Sequence, residues 1–219
     1  MKISSKDIAI SALFVAIVAI MTFVPFLGMI PLVFLSVNIV LVPIIVCAQS
    51  TNALVGAIVS TAFGIFSCLR AYVSPQMAGI TYFAVQNPLV SVLPRLVVGL
   101  VAFYSYSFFK KILCKNKNKD LEKGSEEDLF LRDSFLQRLK GNVLPSMISA
   151  FLGTLTNTVL FLGMLVLLYN GTPLETGSAI SVEWAFAIVA TNFIPEAIAA
   201  CLLVPPITTA IERATKKRV

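Results

Sequence analysis

The sequence predicts an all-α integral membrane protein, a bundle of six transmembrane helices with both termini in the cytoplasm. Composition is the first observation behind this fold class: 58% of the 219 residues are hydrophobic and 13% are charged, whereas soluble domains carry about 45–50% apolar and about 25% charged residues. Second, six apolar segments are each long enough to cross a hydrocarbon core of about 30 Å as a helix. Third, the basic residues are concentrated on one side of these segments. We therefore expect residues 1–219 to form a single membrane domain.

The first apolar segment, Asp7–Phe26, follows a basic start, as the core of a signal peptide does. It is longer than the apolar core of about 7–15 residues found in signal peptides, and no AxA cleavage site ends it, so we expect an uncleaved helix. The later segments are interpreted as helices on the same grounds of length and apolar content, and the last three are long enough to tilt. In chain order these five segments are Ile30–Ala48, Asn52–Leu69, Pro88–Leu113, Asn142–Tyr169 and Glu183–Ile211.

Fifteen of the 17 basic residues lie on one side of these helices. They occupy the N-terminus, the C-terminus and the region around the connection between the fourth and fifth helices, at about residues 114–141. The positive-inside rule places that side in the cytoplasm. The net charge of +6 is therefore a signal of topology and of attraction to anionic lipid, and it does not indicate a nucleic-acid partner.

The cytoplasmic connection divides into two parts by composition. Residues 116–128 have the composition of a solvated stretch. In residues 129–139, apolar side chains recur near helical spacing with basic ones between them, which predicts a short helix at the membrane interface. That helix is either an ordinary amphipathic connector or a docking helix for a partner.

Several classes of enzyme are excluded by residues that the sequence lacks. It contains no histidine, which a Ser-His-Asp triad, a Cys-His dyad, an HExxH zinc site and a haem with a proximal histidine all require. None of its four cysteines has CxxC spacing, and neither a phosphate-binding P-loop nor a GxGxxG motif is present. We therefore expect neither an enzyme nor a bound cofactor or metal.

Two stripes of small residues predict close helix packing, because helices in lipid associate through small side chains. Gly56, Ser60 and Gly64 share a face of the third segment, where packing inside the bundle is the expected role. The first segment carries a second stripe, which either packs inside the bundle or docks another subunit. That stripe consists of Ala9, Ala12, Ala16 and Ala19.

Polar residues at a similar depth in several segments predict a binding cavity. By a rise of about 1.5 Å per residue, Asn38, Arg95 and Asn192 fall roughly 10–14 Å beneath the outer surface, and Asn157 lies slightly deeper. Convergent polar groups in an apolar pocket are typical of a ligand site. With the outer loops and Asn157's helical neighbours, the candidate binding residues are Asn38, Tyr82, Gln86, Asn87, Arg95, Thr154, Asn157, Thr158, Trp184 and Asn192.

Structural roles remain alternatives for these polar residues. Asn38 and Asn157 are equally suited to hydrogen bonds that fix one helix against another. Arg95 is within reach of an ion pair with Glu196, which follows Pro195 deeper in the membrane.

The whole pattern resembles the substrate-binding (S) components of energy-coupling factor transporters, the vitamin-uptake branch of the ABC importers. The resemblance rests on six spans in 219 residues, cytoplasmic termini, an alanine-spaced first helix and a long outer loop between the third and fourth spans. More specifically, the sequence Asn87–Leu100, with its Pro94-Arg95 pair, is similar to the fourth helix of the subgroup that includes pantothenate and folate binders.

The resemblance implies a vitamin-binding protein of the prokaryotic plasma membrane. Its partners would be a transmembrane coupling protein, facing Ala9, Ala12 and Ala16, and two cytoplasmic ATPases that supply the energy. The competing hypothesis is a stand-alone, proton-linked carrier that uses Glu196 as its proton relay.

The residues themselves favour pantothenate over other vitamins. Arg95 favours an anion, and the amide and hydroxyl side chains favour a ligand rich in hydroxyl and amide groups. Pantothenate has one carboxylate, one amide and two hydroxyls. Folate, the alternative, would prefer aromatic stacking, for which Tyr72, Tyr82, Phe83 and Trp184 are available near the outer face.

Overall fold

The computed structural model describes residues 5–24, 27–32, 35–74, 82–115, 142–174 and 179–216. The solvated stretch at 116–128 and the interfacial helix expected at 129–139 lie outside the described residues. The elements follow in chain order as α1 (Ser5–Phe23), β1 (Met29–Leu32), β2 (Leu35–Asn38), α2 (Leu41–Ser50), α3 (Ala53–Val73), α4 (Tyr82–Val85), α5 (Pro88–Lys115), α6 (Leu144–Tyr169), α7 (Val182–Ile188), a π-helical segment (Val189–Phe193) and α8 (Ile194–Lys216).

The helices make this an all-α membrane fold, as the sequence predicts. Among the described residues, four helices are long and apolar enough to cross a membrane: Ala53–Val73, Pro88–Leu113, Leu144–Tyr169 and the continuous Val182–Ala214. They correspond to the last four predicted segments. Two further apolar helices are shorter, Asp7–Phe23 and Leu41–Ser50.

The second predicted helix, Ile30–Ala48, is wrong in its outer half. The chain there forms an antiparallel hairpin in which Met29 pairs with Asn38 and Leu32 pairs with Leu35. Only α2 is helical, and its 10 residues extend about 15 Å, half the thickness of the hydrocarbon core. The described residues therefore contain four apolar helices of full spanning length, the shorter helix α1 and the half-length helix α2.

Physical chemistry accounts for this difference. Pro31 has no N–H to donate within a helix, and its ring crowds the preceding turn. The backbone polar groups of β1 and β2 instead bond to each other, and the Ile39 N–H donates to the Gly28 carbonyl at 2.9 Å. Non-helical backbone is tolerated at membrane depth where protein surrounds it and satisfies its polar groups.

The apolar core centres on α2, whose side chains are buried on nearly every side, among them Ile44, Ile45 and Cys47 at 0% exposure. Helix α5 packs between α3 and α6, α8 packs against α6 and α2, and α1 covers α3. A Cβ placed on Gly64 would lie 2.7 Å from the Cα of Val92 on α5. The prediction that the glycine stripe of the third segment packs inside the bundle is therefore confirmed.

Polar networks join the helices at the end of the bundle where α5 and α8 end and α6 begins, which we call the inner end. The buried Gln49 side chain accepts from the hydroxyls of Ser146 (2.6 Å) and Thr208 (2.9 Å), and its Nε2 donates to the Ser146 carbonyl. Gln49 thereby connects α2, α6 and α8 through side chains that bond to one another.

A second network, which we call the inner latch, consists of Tyr106, Lys110, Asn142 and Glu212. Glu212 accepts from Tyr106 (2.9 Å) and Lys110 (2.8 Å) through Oε1, and from the Asn142 amide (2.9 Å) through Oε2. Lys110 also donates to the Tyr106 hydroxyl at 3.0 Å. The latch fastens the end of α5 and the start of α6 to α8.

Candidate ligand-binding site

Arg95 on α5 is the centre of the candidate site. Its side chain is 8% exposed, and its guanidinium lies between two aromatic rings, 5.3 Å from the centroid of Phe63 on α3 and 5.0 Å from that of Phe161 on α6. The Nε atom is buried and has no hydrogen-bond acceptor among the described residues. Cation–π contacts stabilise a guanidinium in place, but they leave its N–H donors free.

The preceding proline explains how α5 holds this side chain. Because Pro94 has no N–H, the carbonyl of Val90 one turn earlier lacks its helical donor. Arg95 Nη1 donates to that carbonyl at 3.2 Å and to the Ser91 carbonyl at 2.9 Å. The Pro94-Arg95 pair therefore positions the guanidinium along its own helix through Nη1, while the Nε–H donates to no acceptor among the described residues.

No ion pair joins Arg95 to Glu196, although both residues lie in the described part of the chain. The ion-pair alternative raised by the sequence is therefore wrong for this structure. A buried charge without a bonded counter-ion is costly, so Arg95 occupies an environment that an anion would complete.

On α6, the three predicted polar residues share a buried face, as expected. The hydroxyls of Thr154 and Thr158 donate to carbonyls one turn earlier on the same helix, at 2.9 and 3.1 Å. Their donors are thereby used within α6. Asn157 differs from them, because its Oδ1 is buried and accepts no hydrogen bond in the described structure. The face therefore offers one unused acceptor.

Asn38 lies at the base of the hairpin. Asn38 Oδ1 accepts from the Val40 N–H at 3.2 Å, so its side chain caps the turn into α2, and the Asn38 N–H donates to Glu196 Oε1 at 3.2 Å. Strand β2 packs against the π-helical segment, which contains Asn192, and against α8. Asn38 is therefore positioned next to Glu196 by a strand and not, as predicted, by a helix.

The π-helical segment follows from Pro195. That proline has no N–H and crowds the carbonyl of Thr191, so the helix widens into a π turn just before it. Thr191 donates its hydroxyl to the Ala187 carbonyl at 3.0 Å. Single π turns of this kind are frequent at functional sites.

The four outer candidates have mainly structural contacts in this structure. Gln86 donates to the Ala71 carbonyl at 3.1 Å, and Asn87 caps α5 by accepting from the Leu89 N–H at 3.0 Å. Tyr82 makes an edge contact with the Phe83 ring, and Trp184 packs against the outer apolar cluster formed by Ala84, Leu165, Leu174 and Ile180. These contacts fix the ends of the helices above Arg95.

The alanine stripe of α1 faces outward. Ala9, Ala12 and Ala16 are exposed, whereas Phe14, Val18 and Thr22 of the same helix are buried. Packing of these three alanines inside the bundle, one of the two alternatives, is not what the structure shows. The stripe is instead open to lipid or to another protein.

Sequence reasoning missed the two rings around Arg95 and the whole inner latch. Phe161 stands one helical turn from Asn157, so its presence on that face was visible in the spacing. Phe63 and the latch carried no such signal, because their partners lie on other helices and the facing pairs depend on how the bundle packs.

Comparison with known families adds one finding. The model of a family described as "ECF transporter, substrate-specific component" matches residues 6–208. No curated protein matches the chain. The matched range begins at the start of α1 and ends within α8, so it covers nearly all of the described bundle. The description of the family names no ligand.

Proposed function

The chain belongs to the substrate-specific components of ECF transporters, and from this premise we propose that it binds pantothenate from outside the cell. It then delivers the vitamin together with a transmembrane coupling protein and two cytoplasmic ATPases. The observation that carries the choice of ligand is the buried, aromatic-flanked guanidinium of Arg95. Among the described residues, its Nε has no acceptor and no carboxylate lies within 4 Å of it.

A carboxylate is the ligand group that best completes this environment. The planar fork of a guanidinium matches the two oxygens of a carboxylate, and such charge-assisted bonds are about twice as strong as neutral ones. Desolvation between the Phe63 and Phe161 rings strengthens the attraction, since the local dielectric constant is low. The Asn157 Oδ1 adds an acceptor that suits the amide N–H of pantothenate.

Folate is less well supported. Its ring system would need free aromatic faces, but the aromatic side chains near the outer end engage one another. Phe83 meets Tyr82 and Tyr169 edge to face at centroid distances of 6.0 and 5.5 Å, and Trp184 packs on the outer apolar cluster.

The contacts at the inner end favour the role of a subunit that works with partners over the role of a stand-alone carrier. A carrier with alternating access must open towards the cytoplasm. Here the Gln49 network and the inner latch join the helices at that end through six side-chain hydrogen bonds, one of which is also an ion pair. Opening between these helices would break bonds that nothing in the described structure replaces.

Calorimetry on the purified protein tests the proposal with pantothenate and its primary amide, in which the carboxylate is neutral. We expect wild type to prefer the acid and Arg95→Ala to lose most of that preference. Removing one member of a buried charge pair costs about 2–5 kcal/mol, which corresponds to a loss of affinity on the order of 30- to several-thousand-fold. Arg95→Lys should also weaken binding, because an ammonium cannot form the two-point contact.

Arg213→Ala is the matched control, since Arg213 is exposed near the end of α8. It should leave both affinities unchanged. An unchanged ratio of acid to amide binding in Arg95→Ala would show that the carboxylate is held elsewhere. Tight binding of folate in place of pantothenate would overturn the choice of vitamin and leave the family role intact.

A further inference from the structure

Glu196 is a partly buried carboxylate that the proposed role of Arg95 does not use. It lies one residue after Pro195, at the start of α8, and faces the base of the hairpin. Its one hydrogen bond in the described structure is accepted by Oε1 from the Asn38 N–H, at 3.2 Å. A carboxylate has about four acceptor positions on its two oxygens, so this contact leaves most of them unused.

Glu196 and Arg95 form two separate poles of opposite charge. The sequence contains no histidine, and the described residues provide no lysine or arginine within 4 Å of Glu196. Buried charges of opposite sign ordinarily pair, since pairing offsets part of their desolvation. In this bundle the side chains of Arg95 and Glu196 do not form such a pair.

Helix α6 connects these poles. On one side Phe161 of α6 packs against the guanidinium of Arg95. On the other side the Phe151 ring of α6 meets Phe193 of the π-helical segment at a centroid distance of 5.4 Å, next to Glu196. Asn157, with its unused acceptor, stands between these two contacts along α6. Helix α6 therefore contacts the surroundings of both poles, and Asn157 lies between these contacts along its length.

We infer that Glu196 is a specificity residue that accepts hydrogen bonds from donor groups, here hydroxyls, at the end of the ligand opposite its carboxylate. This inference rests on the proposed function and names a second contact in the same site. Pantothenate carries its carboxylate at one end and its hydroxyls at the other, with the amide between them. That order matches Arg95, Asn157 and Glu196.

The contact with Asn38 gives this role a consequence for the hairpin. One carboxylate then bonds both to the ligand and to the backbone of β2, so the ligand is connected to the hairpin through a single side chain. Glutamine at this position retains a carbonyl oxygen that can accept the Asn38 N–H. Glu196→Gln therefore changes the charge of the acceptor while keeping the support of the hairpin.

The experiment compares two ligands: pantothenate, and an analogue in which both hydroxyls are replaced by hydrogen. Wild type should prefer pantothenate by on the order of 10- to 100-fold, the range expected for hydrogen bonds to a charged acceptor. Glu196→Gln should reduce that preference by about tenfold, since a neutral acceptor forms weaker bonds. Glu196→Ala should abolish it.

Two controls make the result specific. Glu183→Gln is the same substitution at an exposed position of α7 and should leave the preference unchanged. Arg95→Ala should lose the preference for acid over amide but keep the preference for hydroxyls. A ratio of two affinities does not depend on the fraction of folded protein, so a less stable variant still gives an interpretable result.

The outcomes separate this inference from the proposed function. An unchanged preference for hydroxyls in both Glu196→Gln and Glu196→Ala would overturn the role of Glu196, while pantothenate binding by wild type would still support the proposed ligand. If wild type binds no pantothenate, the proposed ligand fails, and the contact inferred for Glu196 fails with it.

Discussion

The sequence predicts part of the environment of Arg95, namely its depth and its contact with the turn before Pro94, but not the rings around it. The depth of Arg95 follows from counting residues along an apolar segment. The hydrogen bond from Arg95 to the carbonyl that Pro94 leaves free also follows from local helix geometry. The rings of Phe63 and Phe161 do not follow, because each reaches Arg95 from another helix.

For Asn38, in contrast, the sequence predicts the wrong local structure. Counting residues places it on a helix that the chain does not form, and the hairpin instead brings it to the start of α2, next to Glu196. Proline at position 31 and the β-branched Val37 were the local signals of a strand. In a long apolar run, however, the length of the apolar segment favours the prediction of a helix over such short local signals.

A prediction at the residue scale concerns Gly99, which allows α5 to approach α3. A Cβ there would collide with the backbone of Gly56 and lie 2.8 Å from the Cβ of Ser60. We expect Gly99→Ala to reduce the stability of the folded protein by about 1–3 kcal/mol through overpacking. The measurement is the apparent melting temperature of the purified protein in detergent.

Gly163 provides the matched control on α6, because a Cβ there would meet nothing within 4 Å. Gly163→Ala should be neutral or stabilising by up to about 1 kcal/mol, since alanine favours the helix. Equal melting temperatures for the two variants would contradict the close approach of α3 and α5 at Gly99.

Helix α1 carries a prediction at the scale of a whole element. Its alanine stripe is exposed, and small residues let a foreign helix approach closely in lipid. Replacing Ala12 or Ala16 by leucine should therefore leave pantothenate binding by the isolated protein unchanged. Copurification with the coupling protein and transport should both fall. Calorimetry measures ligand binding by the isolated protein, and affinity purification of the assembled complex measures copurification.

Ala187→Leu serves as the control, because Ala187 is exposed on α7, near the opposite end of the bundle. It should leave assembly intact. If Ala12→Leu and Ala16→Leu impair ligand binding as strongly as assembly, the stripe does not act as a separate docking surface.

The elements also differ in how far the sequence predicts them. The last four spans were placed to within a few residues, because apolar length and polar flanks define them. The segment predicted as a helix over Ile30–Ala48 is longer than α2. Because α2 is buried within the protein, the chain before it can form a hairpin in place of a further length of helix. Whether protein or lipid surrounds a segment depends on its neighbours, which hydropathy does not report.

For the whole molecule, orientation is the property that the charges predict. The helices alternate in direction, since α1 and α3 run towards one end while α2 and α5 return to the other, and this alternation is the same for either orientation in the membrane. We expect the inner end to face the cytoplasm, since fifteen of the 17 basic residues belong to that side. Charge bias thus predicts which way round a bundle sits, although it does not predict the packing.

Thiol labelling tests this orientation. In a variant whose four cysteines are replaced, single cysteines are introduced at Ser74 and at Asn118. An impermeant reagent applied to intact cells should label position 74, and position 118 should react only after the cells are opened. The reverse pattern would show that the protein lies in the membrane the other way round.

The inner latch also has a consequence for dividing the chain into two separate polypeptides. Lys110 of α5 and Asn142, just before α6, both bond to Glu212, so α8 aligns the end of α5 with the start of α6. The entropy of closing a loop rises by only about 0.6 kcal/mol for each doubling of its length. A fluorescent domain inserted between residues 116 and 141 should thus leave the bundle assembled. For the same reason, fragments 1–115 and 142–219, produced as separate polypeptides, are suited to reassociate in one membrane.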